Sequence, residues 1–140
     1  MFIHLKRGEK LYVNGAVLRV DRRTSLEFLN DVSFLLENHV MQAEDATSPL
    51  KQLYFVAQTM LMDPSNAGMT VELYKHLSHR VRQGCTNTKI RDSLDIADKK
   101  VAEGRYFDAL KFLRGAFPEE EPQPPVKLDA GPTKQSPEAA

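Results

Sequence analysis

The sequence is short of cysteine, of long apolar runs and of net charge, and each shortage excludes a class of protein. Cys85 is the one cysteine among 140 residues, so no disulfide framework can form within the chain and a reducing compartment is expected. No stretch approaches the ~18–20 apolar residues that cross a bilayer. No long apolar core precedes the first charges near Lys6, so we expect no secretory signal. We expect a cytoplasmic protein with no membrane partner.

The zero net charge conceals an uneven distribution along the chain. The 19 lysines and arginines balance 19 acidic residues. Residues 1–23 hold six basic and two acidic side chains, a net charge of +4, whereas residues 24–118 carry −1 and residues 119–140 carry −3. A chain that is neutral as a whole therefore begins with a basic segment. Its composition does not exclude a nucleic-acid partner.

The first 36 residues have the short-period pattern of antiparallel strands. Apolar Ile3 and Leu5 alternate with their neighbours, as in a half-buried strand. Asn14-Gly15 between two apolar runs predicts a hairpin, because both residues tolerate the positive φ of a type I′ turn. The predicted strands cover residues 2–6, 10–13, 16–20, 24–29 and 33–36. We predict an antiparallel β-meander or a partial barrel over residues 1–36.

Residues 47–117 have helical periodicity. Ser48-Pro49 predicts a helix start, since serine caps a helix and proline fits its first position. The predicted helices cover residues 49–62, 69–83, a third segment from the cap Thr86 or Asn87 to Gly104, and 105–117. The third helix has a regular apolar stripe: Ile90, Leu94, Ala97 and Val101. Four helices of this length predict an antiparallel bundle.

These segments together predict an α+β fold in a single domain, residues 1–117, with a β part in 1–36 and a helical part in 47–117. Residues 118–140 differ in composition. They hold six of the eight prolines, open with an acidic run and contain few aliphatic residues. Such a segment buries too little surface to offset its ordering entropy, so we predict a disordered, acidic, proline-rich tail.

Patterns for catalysis and metal binding are weak. His76 and His79 share one face of the second predicted helix, but no acidic or cysteine cluster is placed to complete a ligand set. Cys85 lies in a helix–helix turn, where a lone cysteine is more often a packing residue than a nucleophile. The sequence has no phosphate loop, nucleophile elbow or zinc-protease motif. We expect no enzyme activity, no metal site and no cofactor.

The basic side chains of the first 23 residues are the candidates for RNA binding: Lys6, Arg7, Lys10, Arg19, Arg22 and Arg23. They bracket the first and third predicted turns, which lie at the same end of a meander and would form one patch. Lysine and arginine neutralise phosphates, and Tyr12 would offer a ring on which an unpaired base stacks. The alternative is that these charges only protect the edges of a small sheet.

The first predicted helix carries more apolar side chains than one buried stripe needs. The candidates for contact with a protein partner are Tyr54, Phe55, Met60 and Met62. Methionine-rich apolar surface adapts to protein partners. The alternative is that these side chains fill the core of the bundle.

Four blocks of sequence follow one another in a recognisable order. They are Gly8-Glu9-Lys10 with Asn14-Gly15-Ala16-Val17 and Asp21-Arg22-Arg23, then Val40-Met41-Gln42-Ala43-Glu44-Asp45-Ala46-Thr47-Ser48-Pro49, then Leu53-Tyr54-Phe55, and finally Gly104-Arg105-Tyr106-Phe107-Asp108-Ala109-Leu110-Lys111 with Leu113-Arg114. In this register the chain resembles the FlbT family of flagellar biosynthesis regulators over residues 1–117. The proline-rich tail lies outside the resemblance.

The resemblance implies a post-transcriptional role. FlbT-like proteins bind the 5′ untranslated region of flagellin mRNA and lower its translation or stability, and in some bacteria members of the family act positively. They work alongside a second small regulator, FlaF, and their motif carries no catalytic residue. The implied partners are thus the flagellin mRNA leader and a FlaF-like regulator. The alternative is an interaction protein or chaperone that acts through FlaF or flagellin without binding RNA.

Overall fold

Strands lead and helices follow in the part of the chain that the computed structural model describes, residues 2–126. The strands are β1 (Phe2–Leu5), β2 (Lys10–Val13), β3 (Ala16–Arg19), β4 (Thr24–Glu27) and β5 (Phe34–Leu36). The helices are α1 (Pro49–Met62), α2 (Ala67–Gln83), α3 (Thr88–Ala102) and α4 (Tyr106–Ala116). The predicted α+β class is confirmed.

The first four strands are the two halves of one long hairpin. Its tip is Asn14-Gly15, and both residues have the positive φ that the sequence predicted, 49° and 88°. β2 pairs with β3, and β1 pairs with β4, in a single register: the numbers of paired residues add to 29 in both ladders. One continuous ribbon is therefore interrupted at residues 6–9 and 20–23.

The ribbon bends at that interruption, which produces two sheets in place of a meander. A meander would set β1 beside β2 and β3 beside β4, whereas the observed strand orders are β1–β4 and β3–β2–β5. The bend brings Ile3 and Leu5 of β1 into one buried cluster with Leu11 of β2 and Phe34 of β5. The apolar face of β1 is thus covered by the second sheet, without β1 and β2 pairing side by side.

The helices pack around α1, which contacts both α2 and α4, while α3 packs on α4. The Oγ of Ser48 accepts a hydrogen bond from the Lys51 amide at 3.3 Å, so the predicted helix start is confirmed. The side chain of Asn87 caps α3 by accepting from the Lys89 amide at 2.8 Å. The predicted stripe of α3 is buried throughout: Ile90, Leu94, Ala97 and Val101.

The connection between the sheet and the helices is fixed by side chains of α1. The Nε2 of buried Gln58 donates to the Met41 carbonyl at 2.9 Å, and its Oε1 accepts from the Met41 amide at 2.7 Å. The hydroxyl of Tyr54 donates to the His39 carbonyl at 2.9 Å. These bonds hold the segment between β5 and α1 against the helical core.

The segment that was predicted to be disordered begins with residues that contact α1. The Leu50 amide donates to the Glu120 carboxylate at 2.9 Å. Gln52 bonds both backbone groups of Val126, at 2.7 and 3.0 Å. Residues 118–126 of the predicted tail thus include groups that bind α1, because α1 offers partners that composition does not reveal. Residues 127–140 lie outside the described residues.

Candidate nucleic-acid interface

The bend of the ribbon carries six cationic side chains. We call them the basic cluster: Lys6, Arg7, Lys10, Arg19, Arg22 and Arg23. Backbone hydrogen bonds hold the two interrupted segments together, since the Gly8 amide donates to the Val20 carbonyl at 2.8 Å and the Val20 amide donates to the Glu9 carbonyl at 3.2 Å. Gly8 has φ +83°, which favours glycine. The first and third turns therefore meet, although a bent ribbon and not a meander joins them.

The basic cluster is open to solvent. Five of its six residues are exposed, and Lys10 is half-buried. Within residues 2–126 its one ion pair joins Arg22 to Asp21 at 3.6 Å; both side chains are more than 80% exposed (82% and 86%), so the pair contributes little. Glu9 and Glu37 each accept a hydrogen bond from a backbone amide of the cluster, at 2.6 and 2.7 Å. These carboxylates fix the bend and lower its net charge while the guanidinium groups stay available.

Tyr12 does not join the exposed surface. Its side chain is half-buried and packs against the helical core, on the face of β2 that looks towards the helices. Packing against the helical core therefore covers part of the Tyr12 ring, and stacking of a base on it stays a prediction. The cause of this packing is the added strand β5, which places Leu35 beside Tyr12 and turns this face of the sheet into a packing surface.

An aromatic strip that sequence reasoning missed adjoins the basic cluster. Phe2 and His4 alternate with the buried residues of β1, so they lie on its outer face, and the next position on that face is Lys6. Phe2 is 63% exposed. The Nδ1 of His4 lies 2.7 Å from the Oγ of Ser25 on β4. The alternation of residues 2–5 indicates two faces of the strand: a buried face with Ile3 and Leu5, and an exposed face with Phe2 and His4.

The predicted protein-contact residues of α1 divide between the core and its margin. Tyr54 and Met60 are at most 1% exposed, so they cannot contact a partner and the prediction is wrong for them. Phe55 and Met62 are half-buried. The physical reason is the central position of α1, which has neighbours on two sides and therefore needs two apolar faces. Burial raises the pKa of Tyr54, and Arg114 opposes that shift.

A polar cluster joins α2 to α3. The carboxylate of Asp98 accepts hydrogen bonds from Tyr74 at 2.8 Å, from Ser78 at 3.0 Å and from Arg82 at 2.8 Å. Arg82 also pairs with Asp95 at 2.7 Å. Each of these polar groups has a partner, so the cluster is a satisfied structural network.

The residues considered for catalysis and metal binding do not belong to the hydrogen-bond network of Asp98. His76 and His79 are exposed on α2, and Cys85 is half-buried in the turn before α3. Over residues 2–126 no group of three or more histidine, cysteine or acidic side chains could hold a metal ion. Over the same residues no helix has the length and apolar character that crossing a membrane requires.

A cavity of about 510 Å³ lies between the loop after β4 and the start of α4. Its wall is an aromatic stack in which Phe34 lies 4.8 Å from Phe28 and 4.6 Å from Phe107, measured between ring centroids. Arg105 and Asp108 pair with each other at 2.6 Å at its rim. These two charges neutralise one another, so the cavity adds no cationic surface to the basic cluster.

The fold and its exposed residues define a small α+β protein whose N-terminal β-ribbon presents cations at its bend and exposes Phe2 and His4 on the outer face of β1. The family follows from sequence comparison. The model of the family described as flagellar protein FlbT matches residues 1–123, and the chain belongs to this family. The resemblance found in the sequence is confirmed, and the match extends six residues beyond residue 117.

Relatives of similar length support the same assignment. A protein of Chelativorans sp. (strain BNC1), named probable flagellum biosynthesis repressor protein FlbT, is 51% identical over 85% of this chain and 82% of its own length. A protein of Allorhizobium ampelinum with the same name is 49% identical over 85% and 80%. Probable flagellum biosynthesis repressor protein FlbT 2 of Bradyrhizobium diazoefficiens is 46% identical over 86% and 89%. No solved structure gives a significant match.

Proposed function

We propose that this protein is a regulator of flagellum biogenesis that binds the 5′ untranslated region of flagellin mRNA and represses its translation or promotes its degradation. The names of its relatives support the regulatory role. The observation that carries the RNA-binding step is the basic cluster, in which six cationic residues gather at one bend of the ribbon. The proposal assigns no catalytic residue, so cellular nucleases would degrade the message.

Two sets of side chains on the ribbon have different roles in the proposed RNA binding. Arg22, Arg23 and their neighbours contact phosphates, which supplies affinity without sequence information. Phe2 and His4 lie on the outer face of β1, where Lys6 is the next position, and stack on unpaired bases, as aromatic residues on sheets do in recognition of single-stranded RNA. Binding in this way keeps the ribosome from the mRNA leader or leaves the message exposed to nucleases. A FlaF-like regulator is the proposed protein partner.

A salt series tests the proposal. The affinity of the flagellin leader transcript is measured for the natural chain, for Arg22→Ala/Arg23→Ala, and for the matched control Arg80→Ala/Lys99→Ala, which removes two exposed cations from α2 and α3. Loss of two phosphate contacts on single-stranded RNA lowers the slope of log affinity against log salt by about 1.4. The control keeps the natural slope. Equal affinity and slope for the natural chain and the Arg22/Arg23 variant would refute this assignment.

The second candidate is an interaction protein or chaperone that acts through FlaF or flagellin and does not bind RNA. The observation in its favour is an exposed apolar pair one turn apart on α2, where Met69 is 80% and Leu73 is 41% exposed. Purified flagellin and a FlaF-like regulator, both treated with ribonuclease, are the probes. Binding that Met69→Glu/Leu73→Glu abolishes, with no measurable affinity of the natural chain for the leader, would favour this candidate.

A further inference from the structure

β3 is an open edge strand that exposes apolar side chains on both of its faces. Within residues 2–126 no strand pairs with its outer edge. Val17 is 66% and Leu18 is 48% exposed, although Leu11, directly opposite Leu18 on β2, is only 1% exposed. The core between the two sheets therefore covers β2 and leaves β3 uncovered. Edge strands usually carry charges or are covered, because an open edge invites pairing with another strand.

The hairpin pattern shows which backbone groups face that open edge. Paired residues in an antiparallel ladder alternate between hydrogen-bonded and non-hydrogen-bonded positions. The two-residue turn and the bond from the Val20 amide to β2 make Ala16, Leu18 and Val20 the residues whose backbone groups face β2. The N–H and C=O groups of Val17 and Arg19 therefore point outward. An occupant of the edge gains four backbone hydrogen-bonding groups.

We propose that the occupant is a second copy of this chain, paired antiparallel through β3 about a two-fold axis. Outward-facing residues must meet outward-facing residues, so Val17 of one copy lies opposite Arg19 of the other. Leu18 then lies opposite Leu18 of the second copy, on the axis. This register satisfies all four outward backbone groups in each copy, and it buries the two side chains that β3 exposes.

The side chains of β3 favour a second copy over an unrelated extended peptide. Val17 and Leu18 lie on opposite faces, so the occupant needs apolar side chains on both faces, and β3 is itself such a strand. In the same register the aliphatic stem of Arg19 covers Val17 of the other copy. An acidic peptide would pair with Arg19, but charge pairing alone does not cover the apolar side chain on each face.

The positive charge of the two ribbons opposes this pairing at one residue of the strand. The two Arg19 residues lie diagonally across the two-fold axis at ~7–8 Å, within the Debye length of ~8–10 Å at physiological salt, so they repel each other and weaken the contact. The turns at residues 20–23 lie at opposite ends of the paired segment, so the other cations of the two basic clusters lie farther from the axis. A dimer would present both clusters at the ends of one six-stranded sheet.

The contact area of this dimer is small, so we expect the dimer to be short-lived. A four-residue edge with two apolar side chains buries less than the ~800 Å² per partner of a standard stable interface. The dimer is therefore transient and populated at high protein concentration. Covalent trapping is the appropriate probe, and it is carried out on the full chain without RNA, so its outcome is independent of the proposed RNA binding.

Cysteine trapping tests the register residue by residue in a Cys85→Ser background. Leu18→Cys is expected to form an intermolecular disulfide, because facing residues of a non-hydrogen-bonded pair have Cα atoms ~4.5 Å apart, within disulfide range. Val17→Cys and Arg19→Cys alone are not expected to cross-link, since same-residue positions are then diagonal at ~7–8 Å. An equal mixture of these two variants is expected to cross-link. Leu29→Cys, 86% exposed and outside β3, gives the random background.

Two results of the cysteine trapping would overturn the proposal. One is a yield for Leu18→Cys no greater than that for Leu29→Cys. The other is stronger cross-linking of Val17→Cys or Arg19→Cys alone, which would show a different register. Sedimentation equilibrium provides a measurement without cysteine: the natural chain associates weakly as its concentration rises, and Leu18→Lys does not. A natural chain that stays monomeric over the same concentration range would contradict the second copy.

Discussion

Asp98 of α3 joins this helix to α2 by accepting hydrogen bonds from three side chains. Three side chains of α2 donate to its carboxylate at 2.8 to 3.0 Å, and one of them, Tyr74, is 1% exposed. Direct packing between α2 and α3 is slight compared with that of α1 against α2. At the scale of single residues the contact between α2 and α3 therefore depends mainly on Asp98.

Asp98→Ala is expected to lower the free energy of unfolding by about 2–4 kcal/mol, because it leaves buried hydroxyl groups of α2 without an acceptor. Asp92→Ala is the matched control, since Asp92 is an exposed residue of the same helix. Urea unfolding of both variants measures the difference. Equal loss in the two variants would show that the Asp98 network contributes nothing to stability.

Tyr74 makes the stability sensitive to alkaline pH. Burial raises the pKa of its hydroxyl, and the neighbouring charge of Asp98 raises it further. Above a pH of about 10 the unfolded tyrosine loses its proton while the folded one keeps it, so stability falls as the pH rises. We expect a shallower fall between about pH 9 and 11 in Tyr74→Phe than in Tyr106→Phe, measured by urea unfolding. Parallel pH profiles would contradict this account.

At the scale of secondary-structure elements, α1 is the helix whose side chains bind the extended segments of the chain. Its side chains fix three extended segments: Gln58 holds Met41, Tyr54 holds His39, and Gln52 holds Val126. Its N-terminus is closed by Glu120, whose carboxylate bonds both Ser48 and the Leu50 amide. An acid at this position also interacts favourably with the helix dipole. The acidic run after α4 is therefore in part a cap for α1.

Glu120→Ala is expected to lower the free energy of unfolding by about 0.5–2 kcal/mol, the range for losing a helix cap. Glu121→Ala is its neighbour control: it removes the same charge from an exposed residue. Thermal unfolding distinguishes them. A loss of stability shared equally by both variants would mean that net charge, and not the cap on α1, is responsible.

Local signals in the sequence predicted the elements, and the long-range pairings required the structure. Asn14-Gly15, Ser48-Pro49 and the stripe from Ile90 to Val101 each specify a turn or helix through neighbouring residues, and all three are confirmed. The partner of β1 is not encoded locally, since its alternation suits β2 or β4 equally. For the same reason the apolar excess of α1 did not reveal a central helix. For the candidate site, the sequence names the cations, whose role in RNA binding stays a prediction, and the exposed side chains of Phe2 and His4 are seen only once the outer face of β1 is known.

At the scale of the whole molecule, charge is separated in space as well as along the chain. The basic cluster occupies one bend of the ribbon. By contrast, the carboxylate of Glu119 lies 4.0 Å from the Nζ of Lys89, and the carboxylate of Glu120 accepts a hydrogen bond at the N-terminus of α1. The zero net charge thus combines a cationic surface with acids that are engaged at the helices. A patch of about six cations predicts RNA binding with strong salt sensitivity.

Mapping the RNA contact on the full chain locates the proposed binding surface. The flagellin leader transcript is cross-linked to the natural protein by ultraviolet light, and the modified peptides are identified by mass spectrometry. We expect cross-links within residues 2–23, centred on Phe2 and His4, that weaken in Arg22→Ala/Arg23→Ala. Cross-links confined to the helices, or none at a concentration where the transcript is bound, would refute RNA binding by the ribbon.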